Sequence, residues 1–246
     1  MWLDESIIEF PPLKNALTEP DGLLAAGGDL SPERLKLAYS RGIFPWFDET
    51  QPILWWSPNE RAVLFHDKLK ISRSLMKRLR RNEFEIKVNT CFAEVIKACA
   101  KPRNLFTGNE ANTRDESSGE SATWITREML DAYQQLHAQG LAHSIECFKG
   151  NRLVGGLYGV SIGRMFFGES MFHLATDASK VALVHLSKLL QRYGSPFIDC
   201  QIENAHLSSL GCSTLPRSDF AAYLEKYCDE NDGIPWKNIT GTLPHW

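Results

Sequence analysis

A chain of 246 residues has room for one large domain or two small ones, because a single hydrophobic core usually serves about 100 to 200 residues. Hydrophobic residues at 43% and charged residues at 23% exclude a chain that is disordered or fibrous throughout. A formal net charge of -3 gives no global reason to bind nucleic acid, so any such surface has to be a local patch. The six cysteines form no CxxC pair, and MWLDESIIEF has acids where a secretory signal has bases. No apolar run approaches the roughly 20 residues that span a bilayer. These features predict a cytosolic protein with reduced thiols and no membrane insertion.

The first sixty residues carry turn signals at Phe10-Pro11-Pro12, Glu19-Pro20-Asp21-Gly22 and Gly27-Gly28-Asp29, which predict a small irregular unit. One helix is expected there, capped by Ser31, begun by Pro32 and ended before Gly42. Next, Ile71, Leu75 and Leu79 share one face of a helix from Ser72, with Arg73, Lys77 and Arg81 on another. A third helix fits Thr90 to Ala100. Pro102 to Ser121 is polar and lacks apolar periodicity, the pattern of a long flexible loop. Thr126 to Gln139 is helical again. Three antiparallel strands follow, over His143 to Phe148, Arg152 to Ile162 and Arg164 to Phe172, with turns at Lys149-Gly150-Asn151 and Gly163. Asp177 or Ser179 is expected to cap a helix that stops at Gly194. A buried strand covers Pro196 to Ile202, a helix Ser218 to Tyr227, and the tail beyond Cys228 is expected to be extended or frayed. The fold class is α+β.

Glu169 lies between Phe166, Phe167, Gly168 and Met171, Phe172, where a carboxylate is costly unless it is bonded or used. Asp199 sits similarly in FIDCQ. Strand alternation puts Asp199 and Gln201 on one face, two residues apart. Placement alone leaves both readings open for each, a tied structural group or a working one. Lys68, Lys70, Arg73, Lys77, Arg78, Arg80 and Arg81 form a basic run, either a solvated helix face or a seat for a phosphate backbone. Trp46, Trp55, Trp56 and Trp124 could stack on bases or pack a core. The chain lacks GxxxxGK[ST], GxGxxG after a strand and GxSxG, so nucleotide hydrolysis, Rossmann cofactors and serine hydrolysis lose their usual signals. Its seven His have no metal-ligand spacing.

The blocks GLLAAGGDLSPERL, YSRGIFPWF, PILWWSPNERAVL, TWIT, GLYGV, FFGESMF, DASKVAL, FIDCQ and HLSSLGCSTLPRSDF resemble, in order, those of the leucyl/phenylalanyl-tRNA-protein transferases, from Phe10 to about Tyr227. The resemblance implies a small N-terminal domain over 1–60 and a catalytic domain over 61–246 similar to the GNAT (N-acetyltransferase) fold. It also implies transfer of Leu, Phe or Met from its tRNA to a protein beginning with Arg or Lys, which marks that protein for degradation. No metal or cofactor is expected, and the chain is expected to act as a monomer. Carried over by motif, Asp199, Gln201 and Glu169 would be catalytic. Leu157, Phe166, Gly168, Met171 and Leu186 would bind the amino acid, and Trp46 and Trp124 the terminal adenosine region. Arg73, Lys77, Arg80 and Arg81 would hold tRNA phosphates. Two departures stand out: the loop over 102–121 is longer than the resemblance implies, and Leu186 replaces an aromatic of some relatives. A CoA-dependent acetyltransferase, a peptidoglycan-type aminoacyl transferase and an RNA-binding module are the rival readings. The first would want an [RQ]xxGx[GA] loop at a helix start, which DASKVAL does not supply.

Overall fold

The computed structural model describes residues 1–101 and 125–244. The loop expected over 102–121 and Trp124 lie outside the described residues.

Near the N-terminus, β1 (Trp2–Leu3), β2 (Leu23–Gly27), β3 (Phe44–Pro45) and β4 (Leu54–Trp56) form a small sheet in the order β1-β2-β4-β3. Trp55 is fully buried in it, edge-on to Phe10. Strands of two to five residues carry too few alternations to register as a sequence pattern, which is why the region reads as irregular. Between β2 and β3 stands α1 (Pro32–Ser40), begun as expected: Ser31 Oγ accepts the Arg34 N–H, and Pro32 takes the first turn.

The remaining strands are β5 (Glu60–Phe65), β6 (Glu85–Val88), β7 (Ala142–Lys149), β8 (Arg152–Ile162), β9 (Met165–His173), β10 (Phe197–Gln201), β11 (Ser213–Pro216) and β12 (Gly241–Thr242). Among the described residues they form one mixed sheet in the order β11-β5-β10-β9-β8-β7-β6-β12. The meander β7, β8, β9 is antiparallel, as the sequence predicts, and β10 returns parallel to β9. The helices are α2 (Arg73–Arg80), α3 (Phe92–Cys99), α4 (Arg127–Ala138), α5 (Ala178–Arg192), α6 (Ala205–Ser209), α7 (Arg217–Tyr227) and α8 (Trp236–Ile239).

Neighbouring strand residues leave by opposite faces. Val63 and Leu64, Phe167 and Phe166, and Phe197 and Ile198 therefore divide between two apolar clusters. One lies against α1, α3, α4, α7 and the small sheet, the other against α2, α5 and α8. The layered α+β architecture thus rests on a sheet covered on both sides.

Two expectations are corrected. Asp177 does precede α5, but at φ 65° its side chain makes no capping bond; its carboxylate faces Lys180 at 3.3 Å and Arg78 at 3.4 Å. The tail beyond Cys228 is docked rather than frayed: Ile234 and Trp236 are buried, Trp236 stacks on His143 at 4.2 Å, and β12 pairs with β6. The apolar residues of the tail are too sparse to show a period, yet Ile234, Trp236, Ile239 and Leu243 each pack into or against the core. Trp236→Ala should destabilise the fold by about 3 to 5 kcal/mol, the usual cost of emptying a buried tryptophan site. Urea unfolding measures it, and a loss below about 1 kcal/mol would show that the tail is dispensable.

Candidate active site

Parallel pairing between β9 and β10 is confined to Phe166 with Ile198 and Phe167 with Asp199. Beyond that point the strands part. Gly168 to Met171 on one side and Cys200 to Leu207 on the other border a cavity of about 560 Å³. The parting is built into the backbone. A bulge falls between Asp199 and Gln201 where β10 pairs with β5, and Gln201 takes a left-handed φ of 63°. Opposite, the backbone oxygen of Asp199 lies 3.2 Å from where a Cβ on Gly168 would stand, so a side chain there would crowd the junction.

The cavity gathers most of the residues singled out in the sequence. Leu157, Phe166, Gly168, Met171 and Leu186 line it together with Glu169, Asp199 and Gln201. Trp46 stands at its edge, 45% exposed, and is edge-on to Trp56. Arg73, Lys77 and Arg80 on α2 and Arg81 at its C-terminal cap lie elsewhere, all exposed, and none lines the cavity. Arg78 turns aside to pair with Glu83.

Asp199 is fully buried and both its carboxylate oxygens are engaged. Arg61 Nε and Nη2 donate to Oδ1 and Oδ2 at 2.8 and 2.7 Å. Oδ1 also accepts the Gln201 backbone N–H at 2.9 Å. Arg61 is itself enclosed, with its guanidinium 4.6 Å from the Phe44 ring centre and 4.8 Å from that of Phe220. Its remaining arm donates to Gly42 O at 3.1 Å. Sequence reasoning did not single out Arg61, although a lone cation entering the apolar run Ala62 to Phe65 is the same kind of signal that marked Glu169.

Glu169 is partly buried among neutral donors. Oε1 accepts from Tyr39 at 2.7 Å and from Gln201 Nε2 at 2.8 Å, and Oε2 accepts from Tyr133 at 2.9 Å. The two phenol oxygens also touch each other. Because Glu169 Oε1 needs donors, the amide of Gln201 turns its nitrogen inward, which directs its oxygen away from Glu169. Burial pushes the Glu169 carboxyl up to about 7, the charge of Asp199 adds to the rise, and the three donors oppose it. Burial, then the charge of Glu169, holds both tyrosines well above the ordinary phenol range. Tyr39 and Tyr133 belong to α1 and α4, in runs that read as ordinary helix, so nothing in the sequence marks them.

Cavity residues missed from sequence include Leu64, Leu183, Ile198 and the segment Ile202 to Leu207. Among the described residues, no group of three His, Cys, Asp or Glu stands together to hold a metal ion, and no helix is long and apolar enough to cross a membrane.

The family model described as leucyl/phenylalanyl-tRNA protein transferase matches residues 63–225, and that of its N-terminal domain matches 28–59. The chain belongs to the leucyl/phenylalanyl-tRNA protein transferase family. Relatives of that name include the protein of Stutzerimonas stutzeri, 49% identical over 96% of this chain and 98% of its own length. That of Pseudomonas aeruginosa is 52% identical over 93% and 95%, and that of Nitrosomonas europaea 54% identical over 93% and 89%. Among solved structures, L-PGS from Bacillus licheniformis aligns with 13% identity and a TM-score of 0.38 over 74% of this chain and 53% of its own. This chain therefore spans about half of that protein, and the likeness is too distant to carry an argument.

The transferase is an aminoacyltransferase with one cavity carboxyl near neutrality, and this has a consequence for stability. Unfolded, Glu169 titrates near 4.5; folded, near 7. Between these values the folded state holds the extra proton, so the stability from this group is full below about 4.5 and is lost as pH rises through about 7. Urea unfolding at steps from about pH 5 to 8 should show the wild-type chain losing stability relative to Glu169→Gln. A difference that stays flat over that range would contradict the raised titration.

Proposed function

We propose that the transferase moves Leu, Phe or Met from aminoacyl-tRNA onto the α-amine of a protein beginning with Arg or Lys, so marking that protein for degradation. The observation that carries this reading is an apolar cavity with the Gln201–Glu169 hydrogen bond on its rim. Leu157, Phe166, Met171 and Leu186 offer a greasy wall of the kind a Leu or Phe side chain fills. An aminoacyl ester is already activated, so the site needs only to orient an amine, drain its proton and stabilise the carbonyl oxygen. Neither a protein nucleophile nor a cofactor is called for by that chemistry.

Gln201 directs its amide oxygen toward the reacting centre and takes a hydrogen bond from the attacking amine. Asp199, neutralised by Arg61, acts on Gln201 by holding its backbone N–H. Trp46 and Trp124 flank the terminal adenosine, while Arg73, Lys77, Arg80 and Arg81 contact phosphates along the acceptor arm. The parallel strands that part over the cavity support a GNAT-like reading of residues 61–246, with residues 1–60 as a smaller N-terminal domain. A cytoplasmic monomer suits substrates that meet the enzyme in solution.

The direct test is incubation with radiolabelled Leu-tRNA or Phe-tRNA and a peptide beginning with Arg, with acetyl-CoA as a parallel donor. Label should pass from both tRNAs to the peptide and not from acetyl-CoA. Asp199→Asn keeps the shape but removes the charge that Arg61 needs. It should lower kcat on the order of 100-fold while tRNA affinity stays within about twofold. Equal losses of rate and tRNA affinity would contradict the positioning role.

The basic face makes a separable prediction. Replacing Arg73 and Lys77 together with Ala should weaken tRNA binding and flatten the plot of log affinity against log salt by about 1.4 to 1.8. Filter binding over a salt series reads both. An unchanged slope would remove α2 from the tRNA interface.

A further inference from the structure

The contacts around Glu169 need more hydrogens than its two phenol neighbours bring. Tyr39 meets one carboxylate oxygen at 2.7 Å, Tyr133 meets the other at 2.9 Å, and the phenol oxygens meet each other. Each of these three oxygen-to-oxygen contacts requires one hydrogen between the pair. The phenols supply two. With Glu169 ionised, both point at the carboxylate and the two phenol oxygens face each other with none between them. With Glu169 protonated on Oε2 the ring closes: the carboxyl O–H donates to Tyr133, Tyr133 to Tyr39, and Tyr39 to Oε1. The arrangement is therefore complete only when Glu169 carries its proton, and ionisation leaves the phenol-to-phenol contact without a hydrogen.

We propose that Glu169, backed by Tyr39 and Tyr133, is the proton shuttle of the transfer reaction. The inference rests on the aminoacyl-transfer reading of the same cavity. The incoming ammonium first loses one proton to solvent. The amine lone pair then forms the C–N bond to the ester carbonyl carbon, and the C–O bond to the ribose breaks with its electron pair going to oxygen. Nitrogen sheds its surplus proton to Glu169, and the ribose oxygen receives a proton from Glu169. The carboxylate is thereby regenerated and no net proton is consumed after the amine is free.

The surroundings favour this role at one particular atom. Oε1 already takes two donors, Tyr39 and Gln201, whereas Oε2 takes Tyr133 and retains a lone pair. The other polar groups facing the carboxyl are Asp199 of β10, whose charge is matched by Arg61 of β5, and Tyr158 of β8. The Tyr158 hydroxyl is buried with no hydrogen-bond partner among the described residues. No cation contacts Glu169 directly among the described residues, so the carboxyl is free to gain and lose a proton near neutrality. Glu169 touches the substrate in this scheme; Tyr39 and Tyr133 are positioning residues that set when it holds the proton.

The test is single-turnover transfer from Leu-tRNA to an Arg-initiated peptide between about pH 5.5 and 8.5. The wild-type rate should fall on the acid side with a midpoint near 7. Glu169→Gln should lower kcat on the order of 100-fold and lose that limb, with peptide KM and tRNA affinity within about twofold. Tyr133→Phe removes a donor to the carboxylate and should move the midpoint upward by about one pH unit. Repeating the series with a peptide whose α-amine is less basic separates the amine's titration from that of Glu169. The proposal is overturned by a wild-type rate in Glu169→Gln, or by a raised KM with kcat kept. It also falls if the Tyr133→Phe loss is uniform at every pH, or if the acid limb follows the peptide amine alone. Absence of any transfer by the wild-type chain would instead sink the aminoacyl-transfer reading.

Discussion

Arg61 and Asp199 place opposite full charges in the interior, and much of the site hangs on how that pair is held. Taking either ion out of water costs several kcal/mol, which is recovered only with good geometry and further hydrogen bonds. Both conditions are met: the contact is two-pronged, Gly42 O takes the spare guanidinium arm, and the rings of Phe44 and Phe220 enclose the cation. Arg61 lies on β5 and Asp199 on the adjacent β10, so the pair locks two strands of the sheet side by side. It also reaches the small N-terminal sheet through Phe44. The spare capacity of Asp199 then goes to the Gln201 N–H, which pins a residue that ordinary strand geometry would leave pleated. Removing either partner strands a buried charge, so these two residues are bound to each other before either serves a substrate.

That lock explains why a cavity opens where it does. β9 and β10 share only two registered pairs before Gln201 turns into the left-handed region and the strands separate. Phe166 and Ile198, which face α5, become the apolar side of the opening, while Glu169 and Gln201 bridge its polar side. An apolar cavity and a hydrogen-bonding edge are thus produced by one backbone event rather than by separate devices. The helices on the two faces have different tasks. α5 lends Leu183 and Leu186 to the wall, and α1 and α4 lend the phenols that hold Glu169.

The strongly periodic parts of this architecture were legible in the sequence. α1 begins at the Ser31 cap read from the chain, α2 and α4 begin where helices were expected from Ser72 and Thr126, and β8 spans the residues expected of it. Short elements were not: β5, β6 and β11 run four to six residues, too short for alternation to stand out from the polar turns around them. The site was half legible for a related reason. A carboxylate within an apolar strand can be seen in one dimension, so Glu169 and Asp199 stood out. Their partners cannot, because Arg61 is 138 residues from Asp199 and Tyr39 is 130 from Glu169. The apolar wall became legible only through the family's motifs, since Leu157 and Leu186 alone are ordinary core residues.

The same criterion also marks a residue that has nothing to do with the cavity, and the contrast shows what separates a structural carboxylate from a working one. Glu146, in the apolar strand HSIECF, is as buried as Asp199. Its oxygens accept from the backbone N–H groups of Thr90 and Cys91 and from the hydroxyls of Thr90 and Ser144, just ahead of α3. There the helix end supplies positive potential and fixed donors, so the charge is absorbed by scaffold. Asp199 is absorbed by a guanidinium. Glu169 alone borders the cavity with neutral donors, two phenols and an amide, none of which brings a compensating charge. Burial by itself therefore does not mark the group that moves a proton. The mark is a buried carboxyl whose partners can donate hydrogen bonds but cannot cancel its charge, placed where a substrate can reach it.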